Sequence, residues 1–134
     1  MRLAQLTVLL VEDDVDNLEL LAMCLEGEGA TVLAAGSIAA ALAMSIDRQV
    51  DVVVADMELP AGDGCGLLQQ LRTRPALART PALAISGYSR DEWRSQATTA
   101  GFDRYEVKPV PMDSLVEAIV CLTQGGEDGE NVTF

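Results

Sequence analysis

Five short apolar runs recur along the chain, and each is followed by a segment with helical character. The runs are rich in Val, Leu, Ile and Ala and bounded by turn residues, which predicts buried β-strands. The predicted strands span residues 6–11, 31–35, 50–55, 82–85 and 104–107. The predicted helices span residues 15–26, 38–46, 66–72, 91–100 and 112–122. This alternation predicts a parallel sheet covered by helices on both faces.

Local sequence also predicts where some of these elements begin and end. Asp14 or Asp16 is suited to cap the first helix, and Ser37 is suited to cap the second. We expect the second helix to reach Ile46, with Ile46 on its inward face. The stretch 59–64 is rich in Pro, Gly and Asp, which predicts a loop.

Composition narrows the class of protein. The 134 residues suit one domain, which we expect over residues 1–124, followed by a flexible acidic tail over residues 125–134. The formal net charge of −12 disfavours direct binding to nucleic acid or anionic membranes. Cys24 and Cys121 fall on apolar helical faces and are expected to be small core residues. Because we find no signal peptide and no stretch of membrane-spanning length, we expect a cytoplasmic protein.

Polar side chains collect at the carboxyl ends of four predicted strands. Glu12 and Asp13 follow the first strand, and Asp56 follows the third. Ser86 follows the fourth strand and Lys108 the fifth. Because ligands of open α/β sheets bind at the carboxyl ends of the strands, we expect these side chains to form one site.

This set of side chains fits one kind of chemistry. Clustered carboxylates repel one another and need a cation, and hard oxygen ligands suit Mg²⁺. A carboxylate such as Asp56 can act as a nucleophile and form an acyl phosphate. The ammonium of Lys108 and the hydroxyl of Ser86 would then hold phosphoryl oxygens. The sequence therefore indicates metal-assisted phosphoryl transfer to Asp56.

With these residues in view, the chain closely resembles the receiver domain of two-component response regulators over about residues 6–123. The motifs that carry the resemblance are VLLVEDD at 8–14, DVVVADMELPAGDG at 51–64, AISG at 84–87 and YEVKP at 105–109. The resemblance implies a flavodoxin-like (βα)5 three-layer sandwich with a five-stranded parallel sheet in the order 2-1-3-4-5.

The resemblance also implies a role for each residue of the site. Asp56 corresponds to the phosphoacceptor, and Glu12 and Asp13 correspond to the acidic pair at the Mg²⁺ site, with Asp13 the more direct ligand. Asp56 and the backbone carbonyl of Glu58 complete the implied metal ligands. Lys108 corresponds to the conserved-type lysine of the family.

Ser86 and Tyr105 correspond to the family's switch residues. The implied donor is a phosphohistidine on a sensor histidine kinase or a histidine phosphotransfer protein. The implied output is a downstream protein that binds the face formed by the fourth helix, fifth strand and fifth helix. We expect a monomer or weak dimer, either stand-alone or excised from a hybrid kinase, and no enzymatic activity beyond its own phosphorylation and dephosphorylation.

Some positions differ from the family pattern. Three other functions are alternatives to phosphoryl acceptance. Glu58 adds a carboxylate side chain beside the site, and Gly62 stands where many members carry a larger apolar residue. The alternatives are a phosphorylation-independent interaction module, a metal-dependent phosphatase with an aspartyl nucleophile, and a flavodoxin-like cofactor binder. The phosphatase would use the carboxylate of Glu58, two residues after Asp56. The cofactor binder would need a phosphate loop where Glu12 and Asp13 stand.

Overall fold

The computed structural model describes residues 1–60, 62–88 and 91–124. The long strands are β1 (Thr7–Val11), β2 (Thr31–Ala35), β3 (Val52–Asp56), β6 (Ala82–Ser86) and β7 (Arg104–Val107). Two short strands between β3 and the third helix are β4 (Glu58–Leu59) and β5 (Gly62–Asp63). The α-helices are α1 (Val15–Gly27), α2 (Ile38–Met44), α3 (Gly64–Arg72), α4 (Asp91–Ala100) and α5 (Met112–Gln124). A 3-10 turn covers Pro75–Leu77.

The five long strands form one parallel sheet in the order β2-β1-β3-β6-β7. Counted without the two short strands, this is the predicted order 2-1-3-4-5, which is confirmed. The chain adds β2 on one side of β1 and then β3 on the other. The crevice that ligands use in such sheets therefore lies at the carboxyl ends of β1 and β3.

Side chains of the central strands alternate between two buried cores. Leu9 and Val53 belong to one core, whereas Val8 and Val54 belong to the other, as the two-residue period of a strand requires. Helices α2, α3 and α4 contribute to the first core, and α1 and α5 contribute to the second. The predicted three-layer sandwich is therefore confirmed.

Two predicted helix caps are also confirmed. The side chain of Asp14 accepts a hydrogen bond from the Asn17 N–H at 3.0 Å, and that of Ser37 accepts one from the Ala40 N–H at 3.1 Å. Caps of this kind each stabilise a helix start by about 1 kcal/mol. The Asp14 cap also fixes the short link between β1 and α1, which carries the predicted acidic pair.

Helix α2 is shorter than predicted. It ends at Met44, and Ile46 is 58% exposed although we expected it to face the core. The buried hydroxyl of Ser45 donates to the backbone carbonyl of Ala41 at 2.8 Å, directly after the last helical residue. The prediction was wrong because the apolar spacing continues past the point where the helix ends.

The prediction that Cys121 is a core residue was also wrong. Cys121 is exposed, whereas Ile119 on the same helix is fully buried. Two residues along an α-helix turn a side chain to nearly the opposite face, so both cannot point to the core. Cys24 is half-buried and is not among the residues that form or pack against either core, so it was not predicted correctly either.

The stretch predicted as a loop contains a small antiparallel ladder instead. Glu58 pairs with Asp63, and Leu59 pairs with Gly62. The side chain of Asp63 then caps α3 through the Gly66 N–H at 2.8 Å, and α3 begins two residues earlier than predicted. The ladder holds Glu58 at a defined position just after Asp56.

Arg72, at the end of α3, holds two connections of the chain together. Its guanidinium donates to the backbone carbonyls of Leu77 at 3.0 Å, of Gly101 at 3.1 Å and of Thr80. These carbonyls lie in the connections that lead into β6 and β7. One side chain thus ties together the chain segments at the amino ends of these strands.

None of the helices within residues 1–60, 62–88 and 91–124 is long and apolar enough to cross a membrane. The acidic tail expected over residues 125–134 lies outside the described residues.

Candidate functional site

The structure places the predicted site residues at one edge of the sheet. Glu12 and Asp13 directly follow β1, and Asp56 is the last residue of β3. Ser86 is the last residue of β6, and Lys108 directly follows β7. Because all five strands are parallel, these positions share the carboxyl edge.

Lys108 joins the two buried carboxylates of this edge. Its Nζ lies 2.6 Å from Oδ2 of Asp56 and 3.1 Å from Oε1 of Glu12. Burial alone would lower the pKa of Lys108, but the hydrogen bonds to Asp56 and Glu12 raise it above its ordinary value. Lys108 therefore remains a cation between the two carboxylates.

Asp56 is held by two donors on its two oxygens. Oδ2 accepts from Lys108, and Oδ1 accepts from the backbone N–H of Glu58 at 2.9 Å. The residue is only 4% exposed, so its carboxylate is oriented within a nearly dry crevice. Such an arrangement fixes the direction from which an electrophile can approach.

Glu12 is the second buried carboxylate. One oxygen faces Lys108, and the other accepts from the Asp14 backbone N–H at 3.1 Å. Burial raises the pKa of Glu12, although the hydrogen bonds from Asp14 and Lys108 work in the opposite direction. Both Glu12 oxygens are thus occupied by protein donors.

Three carboxylates at this edge lie close enough to share a cation. Glu12, Asp13 and Asp56 each offer an oxygen, and these atoms all lie within 4.8 Å of one another. One lysine cannot neutralise three carboxylates, and Asp13 is exposed, which leaves room for water ligands. An oxygen-only donor set with space for water fits the coordination preference of Mg²⁺.

Ser86 is bound to Glu58 rather than turned toward Asp56. Its fully buried hydroxyl donates to Oε2 of Glu58 at 2.7 Å, and its oxygen accepts from the Tyr88 N–H at 3.1 Å. The other Glu58 oxygen, Oε1, accepts from the Gly87 N–H at 3.2 Å. The sequence placed an extra carboxylate here, but no sequence signal assigned it to these donors.

Tyr105 lies on β7, next to the start of α4. Its hydroxyl donates to the backbone carbonyl of Tyr88 at 2.5 Å, and the guanidinium carbon of Arg94 lies 4.9 Å from its ring centre. Tyr88 in turn stacks on Trp93, with ring centres 5.2 Å apart. Tyr88 therefore connects Ser86 through its N–H and Tyr105 through its carbonyl.

An open groove of about 390 Å³ adjoins the cluster. It is lined by Glu12 and Lys108 on one side and by apolar residues of α1 and α5, including Leu21 and Met112, on the other. Leu20 of α1 also lines this groove and is 57% exposed.

Sequence comparisons agree with this fold. The profile described as response regulator receiver domain matches residues 8–120. The chain is 36% identical over 117 residues to an uncharacterised 14.6 kDa protein of Leptolyngbya boryana, covering 87% of this chain and 89% of that protein. It is 35% identical over 111 residues to the probable transcriptional regulatory protein TcrX of Mycobacterium tuberculosis, covering 82% of this chain. It spans 46% of TcrX, about half the length of that regulator.

A solved structure shows the same fold. The chemotaxis protein CheY4 of Vibrio cholerae aligns with a TM-score of 0.85 at 23% identity, covering 89% of this chain and 99% of that one. The chain belongs to the response regulator receiver domain family, the phosphoacceptor module of two-component signalling. Receiver domains in general bind Mg²⁺, and the acidic cluster at this sheet edge is compatible with that ion.

Proposed function

We propose that Asp56 is the residue that accepts the phosphoryl group. The observation that carries this proposal is the pairing of a buried aspartate at the sheet edge with Lys108 at 2.6 Å. A phosphoryl group enters with negative charge, and a preorganised ammonium offsets that charge as the new bond forms. Glu12 shares the same lysine and helps to hold it beside Asp56.

The transfer is a displacement at phosphorus. An oxygen of Asp56 forms the new P–O bond while the P–N bond of a protonated phosphohistidine breaks. The electron pair of the broken bond returns to the imidazole nitrogen, and the histidine leaves in its neutral form. Lys108 then faces the phosphoryl oxygens, and Ser86 is the nearby hydroxyl that would donate to one of them after leaving Glu58.

The ligands for Mg²⁺ would be Asp13, Asp56 and the backbone carbonyl of Glu58, with Glu12 beside them. When bound, the ion neutralises charge on the carboxylates and on the transferred group. The close approach of the Glu12, Asp13 and Asp56 oxygens supports this assignment. Asp13 is the ligand whose removal tests it most cleanly, because it is exposed and the Lys108 ammonium bonds to Glu12 and Asp56 instead.

The donor protein would dock beside the acceptor. A phosphohistidine donor must bring its imidazole to the crevice, and the exposed side chain of Leu20 on α1 lines the groove beside it. The output would use the surface of α4, β7 and α5, because Tyr105 and Arg94 lie there and connect through Tyr88 to Ser86. The strong negative charge of the chain favours protein partners over nucleic acid for this domain.

One experiment tests the acceptor and the metal together. The full chain is incubated with phosphoramidate and Mg²⁺, and intact mass is measured. Wild type should gain one phosphoryl group, Asp56→Asn should gain none, and Asp47→Asn should behave as wild type. Asp47 is a suitable control because it is exposed and its positive φ of 56° is also accessible to Asn.

Two further arms separate the alternatives. Chelating the metal or replacing Asp13 with Asn should strongly slow the mass gain. Equal labelling of wild type and Asp56→Asn would contradict the acceptor assignment, and no labelling of wild type would favour a phosphorylation-independent module. An aspartyl phosphatase is disfavoured because both oxygens of Glu58 already accept hydrogen bonds from Ser86 and Gly87.

A further inference from the structure

The side chain of Glu58 makes an unusual contact for a residue beside an anion-accepting site. Its two carboxylate oxygens each take one donor at the end of β6, the hydroxyl of Ser86 at 2.7 Å and the N–H of Gly87 at 3.2 Å. A hydroxyl and an adjacent backbone N–H form the kind of donor pair that binds oxyanions. In this structure the oxyanion they bind is the protein's own carboxylate.

The hydrogen-bond capacity of Ser86 makes this contact exclusive. A serine hydroxyl has one hydrogen to donate, and Ser86 donates it to Glu58. Its oxygen already accepts from the Tyr88 N–H. Ser86 therefore cannot donate to a second anion until its bond to Glu58 breaks.

Backbone structure holds Glu58 in place for this role. Glu58 pairs with Asp63 in the β4–β5 ladder, and its own N–H donates to Oδ1 of Asp56 at 2.9 Å. The same residue thus orients the acceptor carboxylate with its backbone and occupies Ser86 with its side chain. Keeping this contact costs no further backbone entropy, because the ladder already fixes the backbone.

We propose that the Glu58 carboxylate is an internal competitor, which occupies the Ser86 and Gly87 donors until a phosphoryl group on Asp56 displaces it. The proposal rests on Asp56 being the phosphoacceptor. It makes Glu58 a positioning residue that slows phosphorylation and holds the switch hydroxyl in its inactive position. Because Tyr88 joins Ser86 to Tyr105, release of Glu58 also frees the first link between the site and the α4–β7 surface.

Two substitutions separate this competition from simple charge repulsion. Glu58→Ala removes both contacts, whereas Glu58→Gln keeps an oxygen for Ser86 but places an NH₂ group against the Gly87 N–H. If repulsion of the incoming group were the whole effect, both variants would behave alike. Competition for the donors instead predicts that the phosphorylation rate increases from wild type to Glu58→Gln and again to Glu58→Ala. Glu117→Gln, on the exposed side of α5, is the control for loss of one negative charge.

The first readout needs neither metal nor phosphodonor. Hydrogen exchange of the Gly87 amide is followed by NMR in the metal-free, unphosphorylated protein. Loss of a hydrogen bond to a charged acceptor should make this exchange about tenfold faster in Glu58→Ala, and the control should match wild type. Unchanged exchange at Gly87 would overturn the proposal.

The second readout is the rate of mass gain with phosphoramidate and Mg²⁺. We expect roughly tenfold faster labelling for Glu58→Ala, a smaller increase for Glu58→Gln and no change for Glu117→Gln. The proposed competition would be overturned if wild type labels normally and Glu58→Ala labels no faster. It would also be overturned if the two Glu58 variants label at the same rate. Wild type that never labels would instead overturn the acceptor assignment of Asp56, so the two failures are distinguishable.

Discussion

Two cations in this protein each lie between two carboxylates, and their surroundings differ sharply. Lys108 lies 2.6 Å from Asp56 and 3.1 Å from Glu12, both of which are nearly inaccessible to solvent. Arg2 lies 3.2 Å from Glu28 and 3.1 Å from Asp113, with the Asp113 side chain 88% exposed. The distances are similar, so the contrast lies in burial.

Burial decides how strongly the charges within each cluster depend on one another. Exposed ion pairs add little to the free energy of unfolding, because water and salt screen them and because two long side chains must be ordered. Buried charges cannot be left unpaired without a large cost, so Lys108, Glu12 and Asp56 depend on one another. Similar distances thus give a mutually dependent buried cluster in one place and a surface contact in the other.

The largest difference should appear when each cation is removed. Lys108→Met should slow phosphoryl labelling of Asp56 roughly 100-fold, because a preorganised donor to the developing charge is lost. Arg2→Met should label as wild type does. The measurement is the initial rate of mass gain with phosphoramidate and Mg²⁺. A Lys108→Met variant that labels at the wild-type rate would show that the buried cluster is not catalytic.

A glycine beside each cluster gives the next contrast. A Cβ on Gly64 would lie 2.6 Å from the carbonyl oxygen of Asp56, whereas a Cβ on Gly27, next to Glu28, meets nothing within 4 Å. Gly64→Ala should lower the free energy of unfolding by about 2 kcal/mol, because backbone must shift. Gly27→Ala should raise it by about 0.5 kcal/mol, because alanine favours the helix. Urea unfolding measures both, and equal signs would contradict the contrast in packing.

The smallest effect concerns pH and the exposed cluster. Hydrogen bonds from Arg2 hold the pKa of Glu28 below its ordinary value of 4.5. A carboxyl with a lowered pKa in the folded state stabilises the fold above its unfolded pKa and loses that contribution as pH falls through the folded pKa. The small stability difference between wild type and Arg2→Met should therefore be constant near neutral pH and vanish in acid. A stability difference between the two proteins that grows as pH falls below 4.5 would contradict this prediction.

Much of the fold was predictable because the strands are buried on both faces. Continuous apolar runs such as 52–55 have few alternatives to a central parallel strand. The edge position of Asp56 and Lys108 followed from the same reasoning, since each directly ends or follows such a run. The structure confirms that these two side chains meet.

Other features were not predictable from local pattern. The end of α2 at Met44 coincides with a back-bond from Ser45, which the apolar spacing does not encode. The pairing of Glu58 with Ser86 joins residues 28 positions apart in the chain, through two strands that must first be aligned. Contacts of that kind depend on register and side-chain direction, which a single sequence does not specify.

Arg72 holds together the rim of the sheet that lies opposite the site. Its guanidinium ties the approaches to β6 and β7 together at the rim opposite the site, through the carbonyls of Leu77, Thr80 and Gly101. At the site rim, the Lys108 N–H donates to the Ser86 carbonyl at 2.7 Å, and the contacts of Ser86, Tyr88 and Tyr105 also join the segments after β6 and β7. For a biosensor built on this domain, a fluorophore near Arg72 would serve as the steady reference, and one near Tyr88 would report the signal.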